Sequence, residues 1–166
     1  MKASELIQQK IFTLTDLQKL IFQWKYFGKT FAFTNGCFDI LHLGHVDYLE
    51  KARALGDKLI IGVNTDASVS RLKGPSRPLQ DEMSRARIMA SLLFTDAVVL
   101  FEEDTPYELI KSVLPDILVK GDDYAAENIV GYDLVINNGG QVKTIELVKG
   151  YSTSNVVAKI IGQLKN

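Results

Sequence analysis

The sequence predicts an α/β protein with a Rossmann-like, open, parallel sheet of five strands and helices on both faces. Five short runs are rich in apolar and β-branched residues. They are near-continuous rather than alternating, which is typical of parallel strands covered on both faces. Helix-like stretches separate these runs, as in repeated βα units. Because crossovers between parallel strands are right-handed, the simplest strand order is 3-2-1-4-5.

The predicted strands are residues 30–34, 58–63, 97–101, 116–120 and 141–147. The predicted helices are residues 46–54, ending near Gly56, and residues 84–93, 106–113 and 155–164. Asp104 and Thr105 precede the third of these helices, with Pro106 close to its first position. We also predict a helix over residues 14–27, ahead of the first strand, with Thr15 or Asp16 as its N-cap. We therefore expect a helical extension over residues 1–27 and a single globular domain over residues 28–166.

Composition narrows the class of protein. A length of 166 residues fits one domain with a sizeable core. The formal net charge of −1 gives no basic field for nucleic acid. The single cysteine excludes an internal disulfide and fits a reducing compartment. Because no apolar run suits a signal peptide or a membrane span, we expect a cytoplasmic protein without membrane contact.

Both histidines of the chain lie in the tetrapeptide His42-Leu43-Gly44-His45, just after the first strand. Residues three apart on a helix share a face. The first turn of a helix also has free N–H groups and the positive end of the helix dipole, which suit phosphate oxygens. Two alternatives stay open here: a purely structural pair, or a metal site completed by Asp39, Asp47 or Glu50. Structural zinc prefers four nitrogen or sulfur ligands, which disfavours the second.

The predicted strand order brings further polar segments together. Ligands bind such sheets at the carboxyl ends of the strands beside the switch in strand order, here between the first and fourth strands. The first strand ends in residues 34–39 and the fourth in residues 120–124. A basic segment at residues 71–78 follows the second strand, and residues 149–155 open the last helix. Each segment taken singly has a simpler interpretation. Residues 71–78 also fit a solvated loop, residues 120–124 fit a turn after a strand, and residues 149–155 fit an ordinary N-cap.

Together, the two helix starts, two imidazoles and several cations predict a site for a nucleoside triphosphate. The sequence lacks the GxxxxGK[ST] loop, and GxGxxG is absent after the first strand. No pairing of a base with a serine or cysteine nucleophile is evident either.

The segment from Thr34 to His45 resembles the HxGH signature of the nucleotidylyltransferase superfamily, in its cytidylyltransferase-like form. Further segments are similar to the adenylyltransferases that make ADP-heptose from heptose 1-phosphate. These segments are residues 64–68, 71–78, 101–106, 114–116, 119–121 and 152–155. The resemblance runs from about Gly28 to the C-terminus.

This resemblance implies transfer of AMP from ATP to a heptose 1-phosphate, with Mg²⁺ on the phosphates and pyrophosphate as the second product. It assigns catalysis to His42, His45 and Lys73, and it names no protein ligand for a resident metal. Asp39 is expected to orient a histidine or the metal. The other binding residues that it implies are Thr34, Asn35, Gly36, Cys37, Phe38, Asp39, Gly44, Asn64, Arg77, Lys120, Gly121, Asp122, Asp123, Ser152, Thr153 and Ser154.

The resemblance also implies a homodimer, a role in lipopolysaccharide core synthesis and a separate sugar kinase that supplies the heptose 1-phosphate. One departure of this sequence from the adenylyltransferase pattern supports an alternative substrate assignment. Gly121-Asp122-Asp123 resembles glycerol-3-phosphate cytidylyltransferases, so a cytidylyltransferase acting on glycerol 3-phosphate or a similar alcohol phosphate is the second interpretation. The arginine-containing approach to the last helix of those enzymes is missing, since Lys149-Gly150 stands there instead.

Overall fold

The computed structural model describes residues 2–122 and 125–164, and its centre is a parallel sheet of six strands. Their order across the sheet is β1-β4-β3-β2-β5-β6. The strands are β1 Ile11–Phe12, β2 Phe31–Gly36, β3 Lys58–Asn64, β4 Ala97–Phe101, β5 Ile117–Gly121 and β6 Gln141–Ile145.

Helices cover both faces of this sheet. They are α1 Ala3–Gln8, α2 Leu14–Tyr26, α3 Leu43–Arg53, α4 Asp66–Lys73, α5 Glu82–Ser91, α6 Tyr107–Val113, α7 Tyr132–Asn137 and α8 Thr153–Leu164, with a 3-10 turn at Ala126–Asn128. Ala32 faces the core that the sheet shares with α3 and α5. Its neighbours Phe31 and Phe33 face the core shared with α2, α6 and α7. The near-continuous apolar strands thus supply two cores, one on each face.

The predicted strand order is confirmed for the five long strands, and the predicted count of five is wrong. The sixth strand, β1, adds to the edge by pairing Ile11 with Val98 and Phe12 with Val99. Two residues are too few to show a strand periodicity, so sequence patterning missed it. The boundary at residue 28 stays a prediction, although residues before it contribute both this strand and the buried Leu17 of α2.

Several helix boundaries differ from the prediction. The N-cap of α2 is Thr13, whose hydroxyl accepts from the Asp16 amide, rather than Thr15 or Asp16. The basic segment predicted as a loop begins inside a helix, because α4 continues to Lys73 and ends at Gly74 with φ of 97°. Helix α4, of 8 residues, was not predicted. Helices α1 and α7 and the 3-10 turn were not predicted either, since each spans at most 6 residues. Among the described helices, none is both long and apolar enough to cross a membrane.

Candidate active site

A cleft with a volume of about 400 Å³ lies at the carboxyl edge of the sheet, between β2 and β5. This is the predicted switch point in strand order. The strands that follow β2 in the chain, β3 and β4, lie on one side of it, whereas β5 and β6 lie on its other side. Registered pairing between β2 and β5 covers only Ala32 with Ile117 and Phe33 with Leu118. Beyond it the two strands part and leave room for a ligand.

Tyr48 of α3 fills the base of this opening. Its hydroxyl lies 2.7 Å from the Thr34 hydroxyl and donates to the Val119 carbonyl at 3.0 Å. Thr34 is fully buried and Tyr48 is 7% exposed. The phenol therefore hydrogen-bonds to both strands where they part, and it ties α3 to both of them.

His42 and His45 stack on each other at the start of α3. Their ring centroids are 3.8 Å apart with an interplanar angle of 19°. His42 is the N-cap residue of the helix. Both imidazoles line the cleft. The pair therefore lies where the helix dipole and free backbone N–H groups favour an anion.

Burial favours the neutral form of both imidazoles. Burial lowers the pKa of His42 below its ordinary value. Burial also lowers the pKa of His45 from 6.5 to about 4, with the charges of His42 and Lys73 adding to the effect and the Ile40 carbonyl opposing it. Neutral imidazole has one N–H donor, so each ring can donate a hydrogen bond to a phosphate oxygen.

The backbone just before the histidines is held in an unusual conformation. Phe38 has a φ of 46°, in the left-handed region that non-glycine residues rarely adopt. Its ring is 6% exposed and packs edge-on against His45, with centroids 5.3 Å apart. A Cβ at Gly36 would lie 3.1 Å from this ring. A side chain at position 36 would therefore press on the Phe38 ring, which in turn packs against His45.

The basic segment at residues 71–78, which begins in the last turn of α4, forms one side of the cleft. Lys73 lines it, is exposed and has no ion pair with any described residue. Arg77 instead pairs with the buried Asp39 at 2.8 Å. The other Asp39 oxygen accepts from the amides of Leu79 and Gln80 at 2.7 and 3.0 Å. Asp39 therefore anchors this segment, and the expectation that it orients a histidine or a metal is not supported by its contacts.

The remaining sides come from β5 and α8. The Lys120 ammonium donates to the carbonyl and side-chain oxygens of Asn35, across the opening between the strands. Ser152 caps α8 by accepting from the Asn155 amide at 3.1 Å. The hydroxyl-rich start of this 12-residue helix faces the histidine pair across the cleft. Two helix N-termini thus border one cleft, as the sequence predicts.

Most of the predicted site residues line this cleft: Asn35, Gly36, Cys37, Phe38, Asp39, His42, Gly44, His45, Lys73, Lys120, Gly121, Ser152, Thr153 and Ser154. Four others support its walls instead. Thr34 binds Tyr48, Asn64 donates to the Ser68 hydroxyl, Arg77 pairs with Asp39, and Asp122 accepts from the Leu147 amide. Asp123 lies outside the described residues.

Sequence reasoning missed three lining residues, Tyr48, Leu147 and Val148, and it included Tyr151 only as part of the segment 149–155. Tyr48 could have been found, since it follows His45 by three residues and so shares its helix face. The others lie in the approach to α8, where no periodicity marks a binding role.

The metal alternative for the histidine pair is not supported. Within residues 2–122 and 125–164, no group of three or more His, Cys, Asp or Glu side chains could hold a metal ion. Of the candidate third ligands, Asp39 pairs with Arg77 and Asp47 pairs with Lys51 at 2.8 Å.

Comparison with known proteins gives consistent matches. The profile of the cytidylyltransferase-like family matches residues 33–159. The bifunctional protein HldE of Syntrophotalea carbinolica is 60% identical over 134 residues, which are 81% of this chain and 27% of that protein. HldE of Magnetococcus marinus is 54% identical over 93% of this chain and 32% of its own length. The chain therefore spans less than a third of these curated relatives.

Two solved structures are also similar. A lipopolysaccharide core biosynthesis protein from Thermoplasma volcanium matches with a TM-score of 0.57 and 31% identity, over 75% of this chain and 100% of its own. Pantoate-beta-alanine ligase from Francisella tularensis, complexed with beta-gamma ATP and beta-alanine, matches with a TM-score of 0.59 and 13% identity, over 92% of this chain and 79% of its own. The second likeness concerns the fold alone.

Proposed function

Because the chain belongs to the cytidylyltransferase-like family, we propose that it transfers AMP from ATP to a heptose 1-phosphate. An oxygen of the sugar phosphate attacks the α-phosphorus of ATP in line. The bond from that phosphorus to the bridging oxygen breaks, and pyrophosphate leaves. ADP-heptose is the other product.

The observation that carries this proposal is the stacked histidine pair at the start of α3, which faces the start of α8 across one cleft. Phosphoryl-type transfer depends mainly on positioning and on neutralising charge. His42 and His45 donate hydrogen bonds to oxygens of the α-phosphate as negative charge develops there. The open helix N-termini bind the rest of the triphosphate.

Lys73 is the second element of the mechanism. Its ammonium lies on the same cleft and is not paired within the described part of the chain. It therefore can bridge the triphosphate and the incoming sugar phosphate, which repel each other without a cation between them. Arg77 is already neutralised by Asp39, so we assign it to holding the segment that carries Lys73.

Mg²⁺ is proposed to arrive with ATP, bound to the phosphate oxygens. Because the described residues offer no cluster of metal-ligating side chains, no step is assigned to a resident metal. We further propose that a sugar kinase supplies the heptose 1-phosphate, that the chain acts as a homodimer, and that its product serves lipopolysaccharide core synthesis. The name of the Thermoplasma volcanium relative, a lipopolysaccharide core biosynthesis protein, supports this carbohydrate role.

The substrates are tested by pyrophosphate release with each pairing of ATP or CTP with heptose 1-phosphate or glycerol 3-phosphate, in the presence of Mg²⁺. We expect release with ATP and heptose 1-phosphate, and a product with the mass of ADP-heptose. Release with CTP and glycerol 3-phosphate alone would establish the cytidylyltransferase alternative. High identity to HldE proteins over most of the chain favours the first outcome.

A further inference from the structure

The largest fully buried side chain of the described residues is a cation outside the cleft, Arg85 of α5, with 0% exposure. A guanidinium is almost never fully buried unless its N–H groups are paired. Its burial therefore needs an explanation from the groups that it contacts.

Arg85 donates to four acceptors, which lie on three segments of the chain. Its Nη1 donates to the carbonyls of Cys37 and Asn64, both at 2.7 Å. Its Nε donates to the Gln80 carbonyl at 2.9 Å, and its Nη2 to the Asp66 carboxylate at 2.7 Å. Three of these four acceptors are backbone carbonyls, so the guanidinium fixes backbone positions.

Two of the anchored segments border the cleft. Cys37 lies between β2 and the histidines, and its carbonyl belongs to the peptide that leads into Phe38. Gln80 lies two residues after the basic segment that borders the cleft, and its amide is held by Asp39. One buried side chain thus sets the loop before α3 and the segment after α4 relative to each other.

The contact between Arg85 and Cys37 connects this arginine, through Phe38, to His45. Phe38 has its φ at 46°, and its ring packs against His45 at 5.3 Å. Such a backbone conformation persists only where surrounding contacts hold it. The hydrogen bond from Arg85 to the Cys37 carbonyl fixes the peptide just before it. We propose that Arg85 is a positioning residue, which acts through Cys37 and Phe38 to hold His45 for transfer.

The inference is tested by kinetics and by spectroscopy, and only the kinetic test rests on the proposed function. The test compares Arg85→Lys with Arg87→Lys, a matched control on the same helix whose side chain is exposed. Lysine keeps the charge but cannot reach four acceptors on diverging segments. We expect kcat to fall about 10- to 100-fold in Arg85→Lys, with a smaller change in KM for ATP, because misplacement by about 1 Å costs this much. Arg87→Lys should match the wild type.

The second readout is the nuclear magnetic resonance of the histidine rings, which needs no turnover. The chain has only two histidines, both in the site. Arg85→Lys should shift the His45 ring signals, and Arg87→Lys should leave them in place. A lowered melting temperature with unchanged kcat and unchanged His45 signals would overturn the inference, because that result describes a purely structural arginine. Absence of turnover in the wild type would refute the proposed function, and the ring signals would still decide the role of Arg85.

If Arg85→Lys does not fold, Asp66→Asn replaces it. Asp66 is 42% exposed, so the protein tolerates its change more easily. Loss of this one partner should loosen the guanidinium, displace the His45 signals and lower kcat by about 2- to 5-fold. Wild-type signals and kcat in Asp66→Asn would then count against the proposal.

Discussion

The neutral state of His45 has a consequence for stability that can be measured without any substrate. Its pKa is lowered from 6.5 to about 4 in the folded protein, chiefly by burial. The unfolded chain therefore binds more protons between these two values. The contribution of His45 to stability is complete above about pH 6.5 and is lost as the pH falls toward 4.

The size of this effect follows from the shift. At about 1.36 kcal/mol per pKa unit, the full shift corresponds to about 3 kcal/mol, and about 2 kcal/mol of it falls between pH 7 and pH 4.5. Because the ring is partly exposed, solvent screening reduces the expected loss to about 1 kcal/mol.

The assay is urea unfolding of the wild type and of His45→Gln across this pH range. Glutamine does not titrate, and every carboxylate is common to both proteins. We expect the wild type to lose about 1 kcal/mol more than the variant between pH 7 and pH 4.5. Parallel stability curves would refute the reasoning, and so would an unshifted His45 titration followed by nuclear magnetic resonance.

Three further predictions concern the cleft. Lys73→Met should lower kcat/KM about 100-fold, because a bridging cation is lost. The control Lys111→Met, on α6, should leave kcat/KM unchanged. Equal kcat/KM values in the two variants would contradict the role of Lys73. Gly44→Ala should lower kcat about 10-fold, because a Cβ there would lie 3.1 Å from the His42 ring, whereas Gly162→Ala meets open space and should retain activity. ATP should slow alkylation of Cys37, the only cysteine, as followed by intact mass; an unchanged alkylation rate would place the nucleotide elsewhere.

The strand order could be predicted because it follows from patterns that the sequence displays. The long strands form near-continuous apolar runs, and right-handed crossovers then leave few topologies. The position of the histidine pair followed from the same argument, since the switch point lies beside β2 whatever the details of the helices. By contrast, β1 is only 2 residues long and is held by pairing with β4, a tertiary contact without a local signal.

The supporting contacts of the site could not be predicted, because they join residues far apart in the chain. Asp39 carries a charge that sequence reasoning assigned to a histidine or a metal, but its partners lie about forty residues later, in the segment around Leu79. Arg85 lies in an amphipathic stretch where a charged residue normally faces water. Its burial depends on the carbonyl of Cys37, just after β2, and that of Asn64 in β3, so only the assembled fold shows it.

Turnover in histidine variants tests the central claim most directly. The wild type, His42→Gln and His45→Gln would be compared for pyrophosphate release at saturating ATP, Mg²⁺ and heptose 1-phosphate, with circular dichroism to verify folding. Loss of one donor to the developing charge should lower kcat by about 10²- to 10³-fold in each folded variant. Folded variants with kcat within about threefold of the wild type would contradict the claim that the transfer takes place at the histidine pair.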